Sequence, residues 1–381
     1  MLVAPQEFKG TLTAGEAAAA IAAGVRSALP SAEVRLLPMS DGGAGLVDAL
    51  VAASGGERRT ATVHDPLMRP VEASWALLAD GSAAIEMAAA SGLVLVEPER
   101  RNPLVATTFG TGELIVAALD AGCREIVIGS GGSATTDGGA GAAQSLGVRL
   151  LDEDGHDLPP GGAALARLAR IDTSRRHPRL AEAQLRVACD VTNVLCGPHG
   201  AAMMYGAQKG ASADAMHRLD AALGRFAEVI RQRLGVAVAT LPGSGSAGGL
   251  GAGLAALAGA TLEPGFELVA RAVGLRDAVA VSDLVITGEG RLDAQTHYGK
   301  TVAGVAGIAR EQKKPVAVVA GSVDPGFDAT ADGFVAVEAV VPADAGPGAG
   351  EDAMAHAPDA LRRAAERLMR RLVESAAIAS R

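Results

Sequence analysis

Glycine placement constrains this chain more than any other feature. Its 49 glycines gather in short bunches at Gly42–Gly45, Gly129–Gly141, Gly243–Gly253 and Gly288–Gly290. Two bunches directly follow apolar, β-branched runs: Glu125–Ile128 and Asp283–Thr287. A third such run, Pro315–Ala320, is closed by Gly321. Strand, glycine turn and Ala-rich helical pattern in alternation is the signature of parallel strands joined by crossover helices, so the expected fold is α/β. Glycine at these points permits positive φ and lets a ligand approach the backbone.

The segment Thr60–Met87 has another texture, with short strand-like pieces and Pro and Asp-Gly turns, which predicts a mixed or antiparallel sheet. At 381 residues two domains are expected, with boundaries near residue 65 and near residue 280. A helix from Pro358 is predicted by the spacing of Leu361, Leu368 and Leu372.

With 34 Lys+Arg against 43 Asp+Glu the chain carries a formal charge of −9, a poor basis for binding nucleic acid or a membrane surface. Small molecules are the expected partners. The three cysteines form no CxxC pair and the seven histidines no HxxxH or HExxH spacing, which argues against a disulfide framework and a zinc site. The N-terminus does not read as a secretory signal, and the longest low-charge stretch, Ala247–Leu262, is too short to span a bilayer. A soluble, cytoplasmic protein is expected.

Several stretches could carry chemistry. The loop Gly129–Gly139 combines glycines and hydroxyls between a buried strand and a helix, which suits an oxyanion held on backbone N–H groups. The string DGGAG occurs at Asp41–Gly45 and again at Asp137–Gly141. Each copy could be an anion- or metal-binding helix start, or merely an Asp cap before a glycine turn. Ala294–Thr301 matches a phosphate loop except at its first glycine, which makes Lys300 a candidate phosphate contact. Gly243–Gly248 fits GxGxxG but lacks an acid where a ribose contact would stand. Lys9, Asp41, Asp190, Glu289, Arg291 and Asp293 fall at expected strand ends, where open α/β sheets collect ligands.

At these residues the chain resembles the type I glycerate kinases of bacteria. The matching strings are APQEFKGTLTA (4–14), MSDGGAG (39–45), TTFGTGELI (107–115), IGSGGSATTDGGAG (128–141), VACDVTN (187–193), YGAQKGA (205–211), GSAGGLGAG (245–253) and DLVITGEGRLDAQTHYGK (283–300), in family order. Where the family commonly carries its first acidic residue, this chain has Gln6.

The resemblance implies ATP-dependent phosphorylation of D-glycerate at the 2-hydroxyl. It also implies a discontinuous Rossmann-like domain (1–64 and 280–381), an inserted α/β domain (65–279) and an active site in the cleft between them. Phosphoryl transfer needs cations on the phosphates, carboxylates for Mg²⁺ and a base near the hydroxyl. The corresponding assignments are Asp190, Lys9, Asp41 and Asp137 as catalytic groups, with Asp190 and Asp137 as candidate Mg²⁺ ligands. Gly131, Gly132, Ser133, Thr135, Lys209, Glu289, Arg291, Asp293 and Lys300 are assigned to substrate and phosphate. A homodimer is left open. The competing readings are a nicotinamide-dependent hydroxy-acid oxidoreductase and a non-catalytic glycerate- or nucleotide-binding regulator.

Overall fold

The computed structural model describes residues 1–293, 301–328, 333–342 and 349–375. In chain order the first strands are β1 (Leu2–Val3), β2 (Arg35–Leu36), β3 (Glu57–His64), β4 (Pro70–Leu77), β5 (Ala83–Glu86) and β6 (Glu125–Gly129). They are followed by β7 (Arg149–Leu151), β8 (Arg170–Asp172), β9 (Gln184–Cys189), β10 (Thr261–Pro264), β11 (Val285–Leu292), β12 (Val316–Val323) and β13 (Ala336–Ala339). The chain divides into two compact units.

The first unit comprises Met1–Asp41, Asp48–Ala53 and Phe266–Arg381. Its sheet has the order β13-β12-β11-β1-β2 and every pairing is parallel, with Leu2 opposite both Val285 and Arg35. The central strands are apolar because helices cover both faces of such a sheet. Helix Ala14–Ala28 starts at a capping box, in which Thr13 accepts from Glu16 N and Glu16 accepts from Thr13 N. Ile21 and Val25 from that helix join Leu361, Leu368 and Leu372 of helix Ala357–Glu374 in one core, as the C-terminal leucine spacing predicts.

One local expectation is overturned here. A loop was expected directly after Thr287, yet β11 continues through Gly288–Leu292. The reason is close strand packing: a Cβ on Gly288 would lie 2.2 Å from Val319 O, so glycine is what allows β12 alongside.

The second unit comprises Gly42–Val47 and Ser54–Gly265. Its six-stranded sheet runs β10-β9-β6-β5-β4-β3, parallel from β5 to β10 and antiparallel from β3 to β5. Val63, Trp75, Ile85, Ile126, Ile128 and Val187 lie in its core. A second core forms around Leu219, Leu223 and Phe226 of helix Ala213–Leu234. Helix Ser246–Ala258 ends at left-handed Gly259, and Thr261–Pro264 then forms β10. Among the described residues no helix is long and apolar enough to cross a membrane.

Candidate functional site

In the second unit β5, β6, β9 and β10 are parallel neighbours, so their carboxyl ends emerge on one edge. The glycine loop after β6 is fastened there from several sides. Leu93 N donates to Gly132 O and Ala134 N to Ser91 O. Ser130 Oγ donates to Ala188 O at 2.7 Å and lies 2.5 Å from Ser246 Oγ. The first DGGAG copy lies across this edge: a Cβ on Gly131 would fall 2.8 Å from Gly43 Cα, and one on Gly42 would fall 2.6 Å from Ala188 Cβ. Bare backbone on both sides is what permits that layering.

Lys209 sits beneath the loop, 3 % exposed. Its Nζ donates to Ser133 Oγ at 2.7 Å and to Thr135 O at 2.6 Å. Burial pulls its pKa down from 10.5 to about 7, and the nearby Asp137 carboxylate opposes that shift. Lys209, Ser133 and Thr135 therefore brace the loop from inside, while Gly131 and Gly132 form its accessible tip. Of the predicted loop residues, these two glycines are the ones whose backbone reaches the surface.

Asp137 corrects a sequence expectation. It is fully buried and accepts from Thr108 N (2.8 Å), Thr108 Oγ1 (2.9 Å), Thr107 Oγ1 (3.2 Å), Gly139 N (3.1 Å) and Gly141 N (3.2 Å). Burial pushes its carboxyl pKa up, against those hydrogen bonds. Mg²⁺ demands open oxygens with room for water, so a carboxylate filled in this way fits neither a metal nor a reacting hydroxyl. Asp137 ties the loop to the start of helix Ala140–Ser145.

Asp190 is exposed, one residue beyond β9. Its charge adds to burial in raising the Tyr205 hydroxyl pKa, and Tyr205 Oη donates to Asn193 Oδ1 at 2.7 Å. Neighbouring Cys189 is buried, which pushes its thiol up to about 11 and leaves it protonated at neutral pH. Tyr205, Asn193, Ser130 and Ser246 were not singled out from sequence. Tyr205 shares the string YGAQKGA with Lys209, and Asn193 closes VACDVTN, so the signal lay inside motifs already noted.

The GxGxxG stretch has a structural task. It follows no strand, and Gly248, at φ +72°, would place a Cβ 1.9 Å from Thr135 O. That segment packs against the glycine loop rather than on a dinucleotide.

The first unit holds a separate cluster where β1 and β2 end. Phe8 N donates to Leu12 O and Leu12 N to Phe8 O, which makes a tight turn with exposed Lys9 near its tip. Gln6 Nε2 donates to Asp41 Oδ2 at 3.1 Å. Half-burial raises the Glu7 pKa, Lys9 opposes that and Asp41 adds to it. Glu7 was not predicted. Gln6 N donates to Gly288 O, beside predicted Glu289, which is 8 % exposed. Arg291 is exposed, with Nη2 donating to Asp324 Oδ2 at 3.0 Å and Nε 4.0 Å from Asp293 Oδ2. Lys300 lies outside the described residues.

Among the described residues, three potential metal ligands group at Asp152, Asp154 and His156. Asp152 already accepts from the backbone N–H groups of Asp154 and His156, so that cluster serves its own turn.

Comparison with known proteins places this geometry in context. A model of the glycerate kinase family matches residues 1–373. Glycerate kinase of Halalkalibacterium halodurans is 50% identical over 344 residues, 90% of either chain. Glycerate 2-kinase of Escherichia coli K12 is 49% identical over 324 residues, 85% of either chain. The crystal structure of a candidate glycerate kinase 2 from Salmonella typhimurium LT2 superposes with a TM-score of 0.88 at 46% identity, covering 99% of this chain and 98% of that one.

Proposed function

The chain belongs to the glycerate kinase family, and from that premise we propose that it transfers the γ-phosphoryl group of ATP to the 2-hydroxyl of D-glycerate, giving 2-phosphoglycerate and ADP. One observation carries the reading at the site: a glycine loop at a strand end, braced from below by buried Lys209, with Gly131 and Gly132 as its open tip. Phosphoryl transfer is mostly a matter of positioning and charge stabilisation, and a loop of amide donors braced by a lysine that a bound anion would charge supplies both.

Asp190 is the proposed base, an exposed acid just beyond β9 that would take the proton of the substrate hydroxyl. Arg291 is the proposed fork for the glycerate carboxylate, exchanging Asp324 for the substrate, and Glu289 and Asp293 remain proposed at the substrate and phosphate. Lys9 and Lys300 are proposed on the phosphates. Mg²⁺, when bound, would neutralise phosphate charge. Asp190 fits as one ligand, and Asp41 with Glu7 fits as a carboxylate pair: burial raises the Glu7 pKa and the Asp41 charge adds to it, so a cation there would favour both ionised.

The division into 1–64 with 280–381 and 65–279 stands as the domain proposal; the two compact units share its discontinuous arrangement but cross over at 53–54 and at 265–266. A cytoplasmic location and a homodimer stand as further proposals, checked by fractionation and light scattering. The function is tested by ADP release with D-glycerate, followed by NMR of the product. Phosphorus coupled to the C2 proton is expected; 3-phosphoglycerate would overturn the 2-hydroxyl assignment, and no ADP release would overturn the kinase.

A further inference from the structure

We propose that the adenine ring of the nucleotide occupies an apolar pocket in the first unit, at the carboxyl ends of β11, β12 and β13. The proposal rests on the phosphotransferase reading above. Topology gives the first argument. From β1 the chain winds outward to β2, and from β11 it winds the opposite way to β12 and β13, so winding reverses between β1 and β11. Open parallel sheets bind ligands outside their strand ends at such a reversal. The turn after β1 and the backbone at Gly290 both line the pocket found there.

Shape and chemistry give the second argument. The cavity is about 260 Å³ and mostly apolar, with Leu12, Val341 and Ala353 among its walls. That is just under the roughly 300–1,000 Å³ of pockets that enclose drug-sized ligands, so a flat bicyclic base fits while a whole nucleotide does not. A Cβ on Gly321 would lie 2.4 Å from Gly290 O, so the wall between these strands is bare backbone, a surface suited to the face of a planar ring. The charged and small glycerate would lose its hydration there without a compensating partner. Among the described residues lining the pocket Lys9 is the single charged one, and it is exposed at the edge, placed to meet the phosphate tail of a base bound inside.

Ala353→Trp on helix Ala349–Ala355 fills the pocket from a half-exposed position. Val341→Phe does so from the other wall and decides the matter if the first variant fails to fold by circular dichroism. ADP binding by calorimetry and the KM values of both substrates are the readouts. The expected result is a rise of about tenfold or more in the ADP Kd and the ATP KM, with the D-glycerate KM within about twofold and inhibition by inorganic tripolyphosphate unchanged. Wild-type ADP affinity in both variants, with turnover intact, overturns the pocket assignment alone. Wild-type protein that neither binds ADP nor turns over D-glycerate overturns the kinase reading and this inference with it.

Discussion

The two copies of DGGAG have the same five residues and opposite environments. At 137–141 the aspartate is sealed under five donated hydrogen bonds and the glycines begin a helix. At 41–45 the aspartate is only partly buried, faces Gln6 and raises Glu7, while Gly42 and Gly43 lie flat against the strand-end loops of the second unit. The difference teaches that a short motif specifies a backbone path, and that burial then decides whether its acid builds structure or meets ligand. A free carboxylate in a hydroxyl-rich pocket is stabilised by donors, and once they saturate it nothing is left for chemistry.

The strongest way to break that comparison is to delete both acids. Asp137→Ala leaves five donors unsatisfied in the interior and is expected to cost at least about 3 kcal/mol, seen as a large fall in the unfolding midpoint or loss of soluble protein. Asp41→Asn is expected to change stability by no more than about 0.5 kcal/mol while lowering kcat/KM about tenfold to a hundredfold. The reverse pattern would exchange the two roles. Asp190→Asn sharpens the contrast from the catalytic side: turnover should fall about 10²- to 10⁴-fold with an unaltered melting curve.

A smaller effect reports on the buried lysine. Its folded pKa, about 7, lies below the usual 10.5, so between these values the unfolded chain holds a proton that the folded chain has released. Stability should then rise with pH across that window, by up to about 1.4 kcal/mol per unit, and level off below pH 7. Lys209→Met should flatten the slope in denaturant titrations; an unchanged slope would mean that Lys209 is not its source. The smallest effect is expected at Glu7→Gln, less than about tenfold on kcat/KM, with the acid limb of the pH–rate profile moved to lower pH as the raised carboxyl is removed.

Much of this organisation is legible in the sequence. The runs at 125–128 and 315–320, the mixed texture over Thr60–Met87 and the leucine spacing from Pro358 come from periodicity and punctuation, which are local properties, and each falls on an observed element. The phosphate-loop candidate at 129–139 was also visible, because its hydroxyls and glycines are contiguous. What sequence could not supply was exposure. Ser133, Thr135, Asp137 and Lys209 look like ligand contacts as a string, and only the packing of distant segments turns their polar atoms toward one another. The continuation of β11 through GEGRL was missed for a similar reason, since its glycines answer to the neighbouring strand rather than to a turn. Glu7 was passed over because its raised pKa comes first from burial, to which Asp41, thirty-odd positions away, only adds.

The central claim is that Gly131 and Gly132 receive phosphate above Lys209, so an anion at the tip must favour the charged lysine and raise its pKa. Calorimetry of ATP binding at pH 8, in two buffers of different ionisation heat, reads this directly. The wild-type protein should take up between about half and one proton per nucleotide relative to Lys209→Met. Equal proton uptake in the two proteins would contradict the claim.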